Sequence, residues 1–211
     1  MKRSLLSIVV VAVLSVTVVG CEPRKPSADV IEAVSRKQYD PAEVQQFVES
    51  DPTIIDDTNE FDQRPLQIAA AHGRTRAVAV LLDHGSDLEA VDHNGRTALH
   101  SACHEGEYDV ARQLIARNAN VNASDNNGNT PLHDVVEWSP EQIELVRLLI
   151  QSGCEPGSQN KDGETPLDIA RRQKTQYLTT SYRDERFRTS RIEHYEAIQQ
   201  VLDGAMKNDG P

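Results

Sequence analysis

The segment HSACHE, residues 100–105, carries the side chains in this sequence that are best suited to bind a metal ion. On a helix, His100, Cys103 and His104 would lie at positions i, i+3 and i+4 of one face, with Glu105 beside them. Imidazole and thiolate groups at such a spacing are good ligands for zinc and similar ions. A segment that occurs only once would favour a metal site, whereas a segment that recurs would indicate a structural role.

The same pattern occurs four times along the chain at a nearly constant spacing. Arg64 precedes Thr97 by 33 residues, Thr130 follows Thr97 by 33, and Thr165 follows Thr130 by 35. Copies are followed by a second segment with apolar residues at helical spacing. A repeat of this length with two helices predicts a solenoid, in which each unit packs on its neighbours. The four copies read DQRPLQIAA (62–70), NGRTALHSAC (94–103), NGNTPLHDVV (127–136) and DGETPLDIAR (162–171).

These segments resemble the ankyrin repeat family, whose pattern is a turn and helix of the type Gly-Thr-Pro-Leu-His-x-Ala-Ala followed by an outer helix. The resemblance covers residues 59–170 well. It implies an all-α ankyrin-repeat solenoid of about four helix-turn-helix repeats with hairpin loops, closed by a capping helix at each end. The local chemistry agrees: Gly95 can adopt the positive φ of a tight turn, Thr97 can cap the following helix, and Pro131 suits a first helical turn.

The resemblance changes the interpretation of HSACHE. It implies that His100 and His133 tie neighbouring turns together by hydrogen bonds, and that Cys103 occupies a small packing position inside the stack. Only His104 and Glu105 are then expected to face the open, concave side. We therefore expect no metal site and no cofactor.

The sequence carries none of the short motifs that indicate common enzymes. It has no Gly-x-Ser-x-Gly turn, no His-Glu-x-x-His helix and no glycine-rich phosphate loop. The run DNNGN at 125–129 lacks the downstream glutamate of a calcium-binding loop. We expect a protein that is not an enzyme and has no catalytic residue.

The repeats also predict how the chain is divided. We expect a signal peptide at 1–20, a lipidated cysteine and tether at 21–27, a repeat domain at 28–204 and a disordered tail at 205–211. Within the domain we expect a cap at 28–58 and repeats near 59–91, 92–124, 125–159 and 160–204. The polar insertion at 173–190 is predicted to be either an extended inner helix or a mobile flap. The apolar residues that should close the stack after it are Ile192, Tyr195, Ile198, Val201 and Leu202.

The N-terminus has the pattern of a bacterial lipoprotein signal. Two cations precede a mainly apolar stretch at 5–19, which is shorter than the roughly 20 residues of a membrane-spanning helix. The stretch ends in VVGC, which resembles a lipobox and implies cleavage after Gly20 and lipid attachment to Cys21. Glu22 stands where an aspartate favours inner-membrane retention, so we expect a lipid anchor in the bacterial envelope, on the periplasmic face of the outer membrane. An ordinary secretory signal or an uncleaved anchor are the alternatives.

The chain is acidic, with 33 Asp and Glu residues against 22 Lys and Arg and a net charge of −11. This charge repels nucleic acid and anionic lipid headgroups, and no stripe of basic residues counters it. We expect a monomer that binds a protein partner with a basic patch, contacts the membrane only through lipid on Cys21, and does not bind nucleic acid.

The residues expected to bind that partner are those that differ between repeats and face the concave side. Trp138, the only tryptophan, is predicted either to pack over the extra residues around Ser139 and Pro140 or to anchor a partner. Phe61, at the first hairpin tip, is either a similar anchor or a cover for the N-terminal cap. The predicted binding residues are Phe61, Ile68, His72, Arg96, His104, Glu105, Glu137 and Trp138.

The function expected from this pattern is non-enzymatic protein–protein interaction at the bacterial envelope. Two more specific alternatives are an inhibitor or immunity protein that neutralises an envelope-targeting toxin or enzyme, and a protector of a periplasmic stress-defence enzyme. A neighbouring toxin gene would favour the first alternative, and a neighbouring catalase gene the second.

Overall fold

The computed structural model describes residues 26–180 and 184–208, with the side chains of residues 26–29 left aside. The predicted signal peptide and the predicted lipid site at Cys21 lie outside the described residues. Within them the chain forms ten α-helices, a short 3-10 helix at Pro52–Asp56 and no β-strand. The helices are α1 (Pro26–Ser35), α2 (Pro41–Ser50), α3 (Pro65–Ala71), α4 (Thr75–Asp83), α5 (Ala98–Glu105), α6 (Tyr108–Ala116), α7 (Pro131–Trp138), α8 (Ile143–Gln151), α9 (Pro166–Thr179) and α10 (Glu185–Asn208).

The helices pack in two rows that run the length of the stack. In the inner row α1 contacts α3, and α3, α5, α7 and α9 follow one another as neighbours. In the outer row α2, α4, α6, α8 and α10 do the same, and each outer helix also packs on the inner helix of its own repeat. The predicted all-α solenoid is confirmed. None of the helices in the described part of the chain has the length and apolar character needed to cross a bilayer.

One hydrophobic core continues from α1 to α10 through every repeat. The second residue of each inner helix is a leucine that is buried in the same way in all four repeats. Because the buried residues form one continuous cluster, a repeat removed from its neighbours would expose part of its own core, which is why such repeats are stable only when stacked. The recurring buried leucines are Leu66, Leu99, Leu132 and Leu167 in the inner row and Leu81, Leu114 and Leu149 in the outer row.

The third residue of the inner helices ties one repeat to the next. In α5 the N–H and the hydroxyl of Thr97 both donate to Nδ1 of His100, at 3.2 and 2.9 Å. Nε2 therefore carries the proton of the neutral ring, and it donates to the carbonyl of Asn129 at 3.1 Å. His133 makes the equivalent bond to the carbonyl of Glu164 at 3.2 Å. The structural role predicted for the two histidines is confirmed.

The same position holds other side chains in the first and last repeats. Gln67 reaches forward, since its amide group donates to the carbonyls of Ala90 at 3.1 Å and Arg96 at 2.8 Å. Asp168 only accepts, from the N–H and the hydroxyl of Thr165 at 3.1 and 2.7 Å. A carboxylate has no donor for a forward bond, and the element that follows is α10 rather than another hairpin.

Gln67 suggests a matched pair of substitutions at His100. His100→Ala is expected to lower the free energy of unfolding by about 2 kcal/mol, because it leaves the buried N–H of Thr97 and the carbonyl of Asn129 without their partner. His100→Gln installs the side chain that already makes this bond in the first repeat and is expected to cost about 1 kcal/mol or less. Urea unfolding measures both. Equal losses of unfolding free energy in the two variants would show that the hydrogen bond between repeats contributes nothing to stability.

The C-terminal end differs from the expectation in its boundaries. Of the insertion at 173–190, the described residues extend α9 to Thr179 and begin α10 at Glu185, which favours the extended helix over the flap. An ion pair between Lys174 and Glu196, at 2.8 Å, joins the two helices. The buried residues of α10, Tyr195, Ile198 and Leu202, close the stack as predicted.

The predicted disordered tail from residue 205 is wrong for its described part, because α10 continues through Asn208. Ala205 and Met206 line a cavity together with Ile150 of α8 and the turn at 153–158. The helix thus extends beyond the point where the apolar spacing in the sequence stops, and its last turns lie beside α8 and this turn. Residues 209–211 lie outside the described residues.

Candidate functional site

The candidate site is the groove on the inner side of the stack, formed by the hairpin tips and the exposed sides of α3, α5, α7 and α9. The hairpins are held rigid from within and from repeat to repeat. The carboxylate of Asp92 accepts from the N–H groups of Asn94 and Arg96, at 2.8 and 2.9 Å. The N–H of Asn126 then donates to the carbonyl of Asn94 at 2.8 Å, which joins the second hairpin to the third. Side chains that project into the groove are therefore carried on a continuous hydrogen-bonded edge.

Three of the predicted binding residues lie in the first repeat, and two of them, Phe61 and His72, are exposed. Phe61 is 50% exposed at its hairpin tip, with its ring centroid 5.9 Å from that of His93. Its carbonyl also accepts a hydrogen bond from the His93 backbone, so the tip is fastened to the next hairpin. His72 is exposed at the C-terminal end of α3. Neither residue lines the cavities described below.

The prediction that Ile68 faces the groove is wrong. Its side chain is only 6% exposed and belongs to the continuous hydrophobic core. The equivalent residues of the other repeats, Ser101, Asp134 and Ile169, are buried as well, so this position of the inner helix faces the interior of the stack in every repeat. A partner could not contact Ile68 without unfolding this end of the stack.

The other five predicted residues lie together between α5 and α7. They line two adjoining cavities of about 270 and 170 Å³, which share Arg96 and His104. Glu137 and Trp138 line the larger cavity, and Glu105 lines the smaller one. The second and third repeats are thus where the structure concentrates the predicted site.

Trp138 contacts a ring of the neighbouring repeat and remains exposed, so it does not simply fold over the extra residues around Ser139 and Pro140, and its role as a partner anchor stays a prediction. Its ring lies 4.9 Å from the His104 ring, yet the side chain is 57% exposed. The α7 helix ends at Trp138, as the Ser-Pro pair predicted, and the hydroxyl of Ser139 donates to the carbonyl of His104 at 2.9 Å. Burial, with the nearby Arg96 charge, lowers the pKa of His104, so the ring under Trp138 is neutral at pH 7.

The larger cavity contains a buried carboxylate, Asp134, that the sequence analysis did not select. Asp134 is 5% exposed, and its Oδ2 has no hydrogen-bond partner among the described residues. Burial raises the pKa of Asp134 to about 8, and the neighbouring carboxylates Asp125, Glu137 and Asp92 add to this effect. Arg96 acts in the opposite direction and does not cancel them. A group in this state can donate or accept a proton near neutral pH.

A second unselected residue, Arg172 of α9, closes the groove toward the last repeat. Its Nε donates to Glu164 at 2.9 Å, and one terminal nitrogen lies 3.4 Å from Glu137. This pair of contacts joins the third and fourth repeats on the groove side. Arg172 is therefore an ion-pair partner of Glu137, which lines the same cavity as Asp134.

A clear signal in the sequence could have found Asp134. Its position in the inner helix holds isoleucine in the first and last repeats and serine in the second, namely Ile68, Ile169 and Ser101. An aspartate where other repeats carry apolar or small residues is a departure from the pattern. The sequence shows that departure, but only packing shows that the carboxylate is buried without a partner.

The side chains of HSACHE serve different parts of the fold. Both ring nitrogens of His100 are engaged in hydrogen bonds. Cys103 lies in the core, where burial raises the pKa of its thiol and keeps it protonated. No group of three or more His, Cys, Asp or Glu side chains in the described ranges is placed to hold a metal ion.

Comparisons with known proteins agree with the architecture. The family model for ankyrin repeats matches in three overlapping copies, at residues 30–125, 86–160 and 112–180. The chain is 34% identical over 119 residues to ankyrin repeat and SOCS box protein 16 of Mus musculus, which covers 53% of this chain and 26% of that protein. It is 31% identical over 80 residues to protein phosphatase 1 regulatory subunit 27 of Mus musculus, covering 38% of this chain and 52% of that protein.

A shorter match of 51 residues, 39% identical, joins 24% of this chain to 10% of the E3 ubiquitin-protein ligase XBAT33 of Arabidopsis thaliana. The matched regions thus span about half or less of the length of these relatives. The similarity to these relatives lies in the part of the chain that contains the repeats.

Proposed function

The chain belongs to the ankyrin repeat family, whose repeats form protein–protein interaction modules, and from this premise we propose that its groove binds a partner with a basic surface without catalysing a reaction. The observation that supports this most directly is the half-exposed Trp138 beside the buried carboxylate of Asp134. A large exposed aromatic ring next to a cavity is the usual composition of an interface hot spot.

Charge supports the choice of a basic partner. The chain carries a net charge of −11, and Glu105, Asp125 and Glu137 are among the residues that line the two groove cavities. Complementary charge accelerates the encounter with a basic protein and disfavours nucleic acid, whose phosphates are repelled. The protein acts as a monomer in this proposal, so the groove stays open to one partner at a time.

Trp138→Ala tests the groove. The variant is expected to bind its partner at least about tenfold more weakly, because the loss of an exposed aromatic anchor typically costs more than about 1.4 kcal/mol of binding free energy. The matched control is Tyr108→Ala, which removes a 36% exposed aromatic ring from the outer helix α6. Affinity capture from the native envelope, followed by titration of the captured protein, measures the difference.

A protein that is captured by wild type and by the Tyr108 variant, and lost with the Trp138 variant, supports the groove. A protein retained equally by all three binds elsewhere on the molecule. Thermal unfolding of both variants is compared with wild type beforehand, so that a loss of binding is not a loss of fold.

We also propose that lipid on Cys21 holds this module at the envelope, on the periplasmic face of the outer membrane. The support is the VVGC segment, with the apolar stretch before it and Glu22 after it. The residues at 22–25, which precede the start of α1 at Pro26, would then form a tether of at most about 14 Å, shorter than the expected tether through residue 27, and it would keep the groove near the membrane surface.

Cys21→Ser is expected to move the protein from the membrane fraction to the soluble fraction, because the hydroxyl cannot receive the thioether-linked lipid. Pro23→Ala, two residues further on, is the matched control and is expected to remain membrane-bound. Fractionation followed by mass analysis of the N-terminal peptide measures both outcomes. A Cys21→Ser protein that stays with the membrane without added mass would contradict the lipid anchor.

A further inference from the structure

One residue that lines the larger groove cavity, Asp134, has a buried hydrogen-bond acceptor without a donor among the described residues. Asp134 lies at its inner end, almost completely buried, while Trp138 lies at its exposed end. The Oδ2 atom of Asp134 has no hydrogen-bond partner within the described part of the chain. A buried polar atom in this state opposes folding and is normally paired in native proteins, so its presence points to a partner supplied from outside.

The charge around this atom is negative. Asp125 and Glu137 line the same cavity and their charges attract a cation, and Asp134 gains a charge of its own when an entering cation displaces its proton. The cation already present, Arg96, makes no ion pair with Asp134 in the described part of the chain and also lines the neighbouring cavity, as Glu105 does. Arg96 can therefore lie toward Glu105 when a second cation enters beside Asp134.

We infer that this cavity receives a basic side chain, an arginine, from the protein partner, and that Asp134 is the residue that binds its guanidinium group. The inference rests on the proposed function and specifies it. It assigns the groove a preference for a single exposed arginine rather than for positive charge in general.

The shape and composition of the cavity favour arginine. A guanidinium group is planar, presents five N–H donors, pairs with carboxylates in a two-pronged arrangement and stacks on aromatic rings. Asp134 provides the carboxylate, the exposed indole of Trp138 provides the ring, and the side chains of Asn127 and Asn129 lie in the same lining. An ammonium group could pair with the carboxylate but would leave the indole and the amides without a planar counterpart.

The test uses a defined probe, the peptide acetyl-Gly-Arg-Gly-amide, added to the full chain. The chain has one tryptophan, so the indole signal of Trp138 in a proton–nitrogen NMR spectrum reports the cavity without ambiguity. The peptide is expected to shift this signal saturably at low salt. The same peptide with citrulline in place of arginine, which keeps the shape and loses the charge, is expected to bind at least about tenfold more weakly.

Asp134→Asn is expected to weaken binding of the arginine peptide at least about tenfold. Asp109→Asn is the matched control, since it makes the same charge change on the outer helix α6, where the carboxylate is exposed and lies 3.3 Å from Arg112. Binding by this control should equal that of wild type. A cavity that only holds solvent would give equal, weak shifts with both peptides, and unchanged binding by Asp134→Asn would also overturn the inference.

The outcome is separable from that of the proposed function. If the captured partner is lost with Trp138→Ala but retained with Asp134→Asn, the groove is the binding site and the arginine assignment is wrong. If the partner is retained by both variants, the groove proposal fails, and the peptide titration still decides whether Asp134 binds guanidinium.

Discussion

Gly95→Ala is expected to lower the free energy of unfolding by about 3–4 kcal/mol, because two separate penalties fall on the same methyl group. Gly95 has φ +76°, a conformation that costs an L-residue with a side chain about 1–2 kcal/mol. A Cβ atom there would also lie 2.8 Å from the backbone nitrogen of Asn126, in the next hairpin. That nitrogen donates to the carbonyl of Asn94 at 2.8 Å, so moving it aside would weaken the bond between the two hairpins.

The chain contains its own controls for this prediction. Gly128 and Gly163 occupy the same place in the third and fourth hairpins, with φ +77° in each case. A Cβ at Gly128 would lie 3.1 Å from the backbone nitrogen of Lys161, and a Cβ at Gly163 would meet nothing within 4 Å. Alanine at Gly163 should therefore show only the dihedral penalty of about 1–2 kcal/mol, with Gly128→Ala in between.

Urea unfolding of the three alanine variants measures the order of their losses in unfolding free energy. Because repeat stacks can unfold in more than one step, the comparison is best made from the complete transitions of all three at one protein concentration. Equal losses at the three positions would mean that the close approach between hairpins contributes nothing and that only the positive φ matters.

Asp134→Asn is expected to stabilise the fold at neutral and alkaline pH by an amount on the order of 2–5 kcal/mol. The carboxylate is buried without a partner for Oδ2, and burial raises its pKa from 3.8 to about 8. An amide keeps the shape of the protonated acid and cannot ionise. Removing a buried charge that lacks a partner therefore removes a term that opposes folding.

The effect has a defined pH dependence. Between about pH 4 and about pH 8 the folded state holds a proton on Asp134 that the unfolded state has released, so the stability of the wild type falls as the pH rises through this window. The groups that set the folded pKa besides burial are Arg96, which lowers it, and Asp125, Glu137 and Asp92, which raise it. Below about pH 4 both states hold the proton, and the advantage of the amide should vanish.

Urea unfolding of wild type and Asp134→Asn near pH 4, 6 and 8.5 measures this difference. All other titrating groups are shared by the two proteins, including His100 and His133, so their contributions largely cancel. Asp109→Asn, at an exposed position, is expected to change stability by about 0.5 kcal/mol or less at each pH. A constant difference between wild type and Asp134→Asn across the three values would show that Asp134 does not titrate abnormally.

Taken together, the two expected results at Asp134 run in opposite directions. The asparagine variant should be more stable and should bind the arginine peptide less well. Binding sites commonly contain groups that lower the stability of the free protein and become paired only when a ligand binds. An amide that improved both properties would remove the reason for proposing a site.

The sequence alone was sufficient for the architecture because each ankyrin repeat depends on its immediate neighbours. The 33-residue spacing and the capping Thr97 could be predicted from short segments that recur along the chain, and the hydrogen bonds of His100 and His133 from the resemblance of those segments to ankyrin repeats. The end of the inner helix at Trp138 also followed, since the Ser-Pro pair comes directly after it, whereas the sequence leaves the exposure of the Trp138 side chain open.

The tertiary structure decided what happens where the copies differ or end. Ile68 occupies an inner-helix position that is buried in all four repeats, and α10 continues through Asn208, with Ala205 and Met206 at a cavity shared with Ile150 of α8. The departure at Asp134 is visible in the sequence, but its raised pKa results first from burial, with Asp125 and Glu137 adding to the rise and Arg96 of the preceding repeat opposing it. The burial of a side chain and the charges around it depend on all the residues that surround it. The sequence of a single repeat does not specify the residues that neighbouring repeats place there.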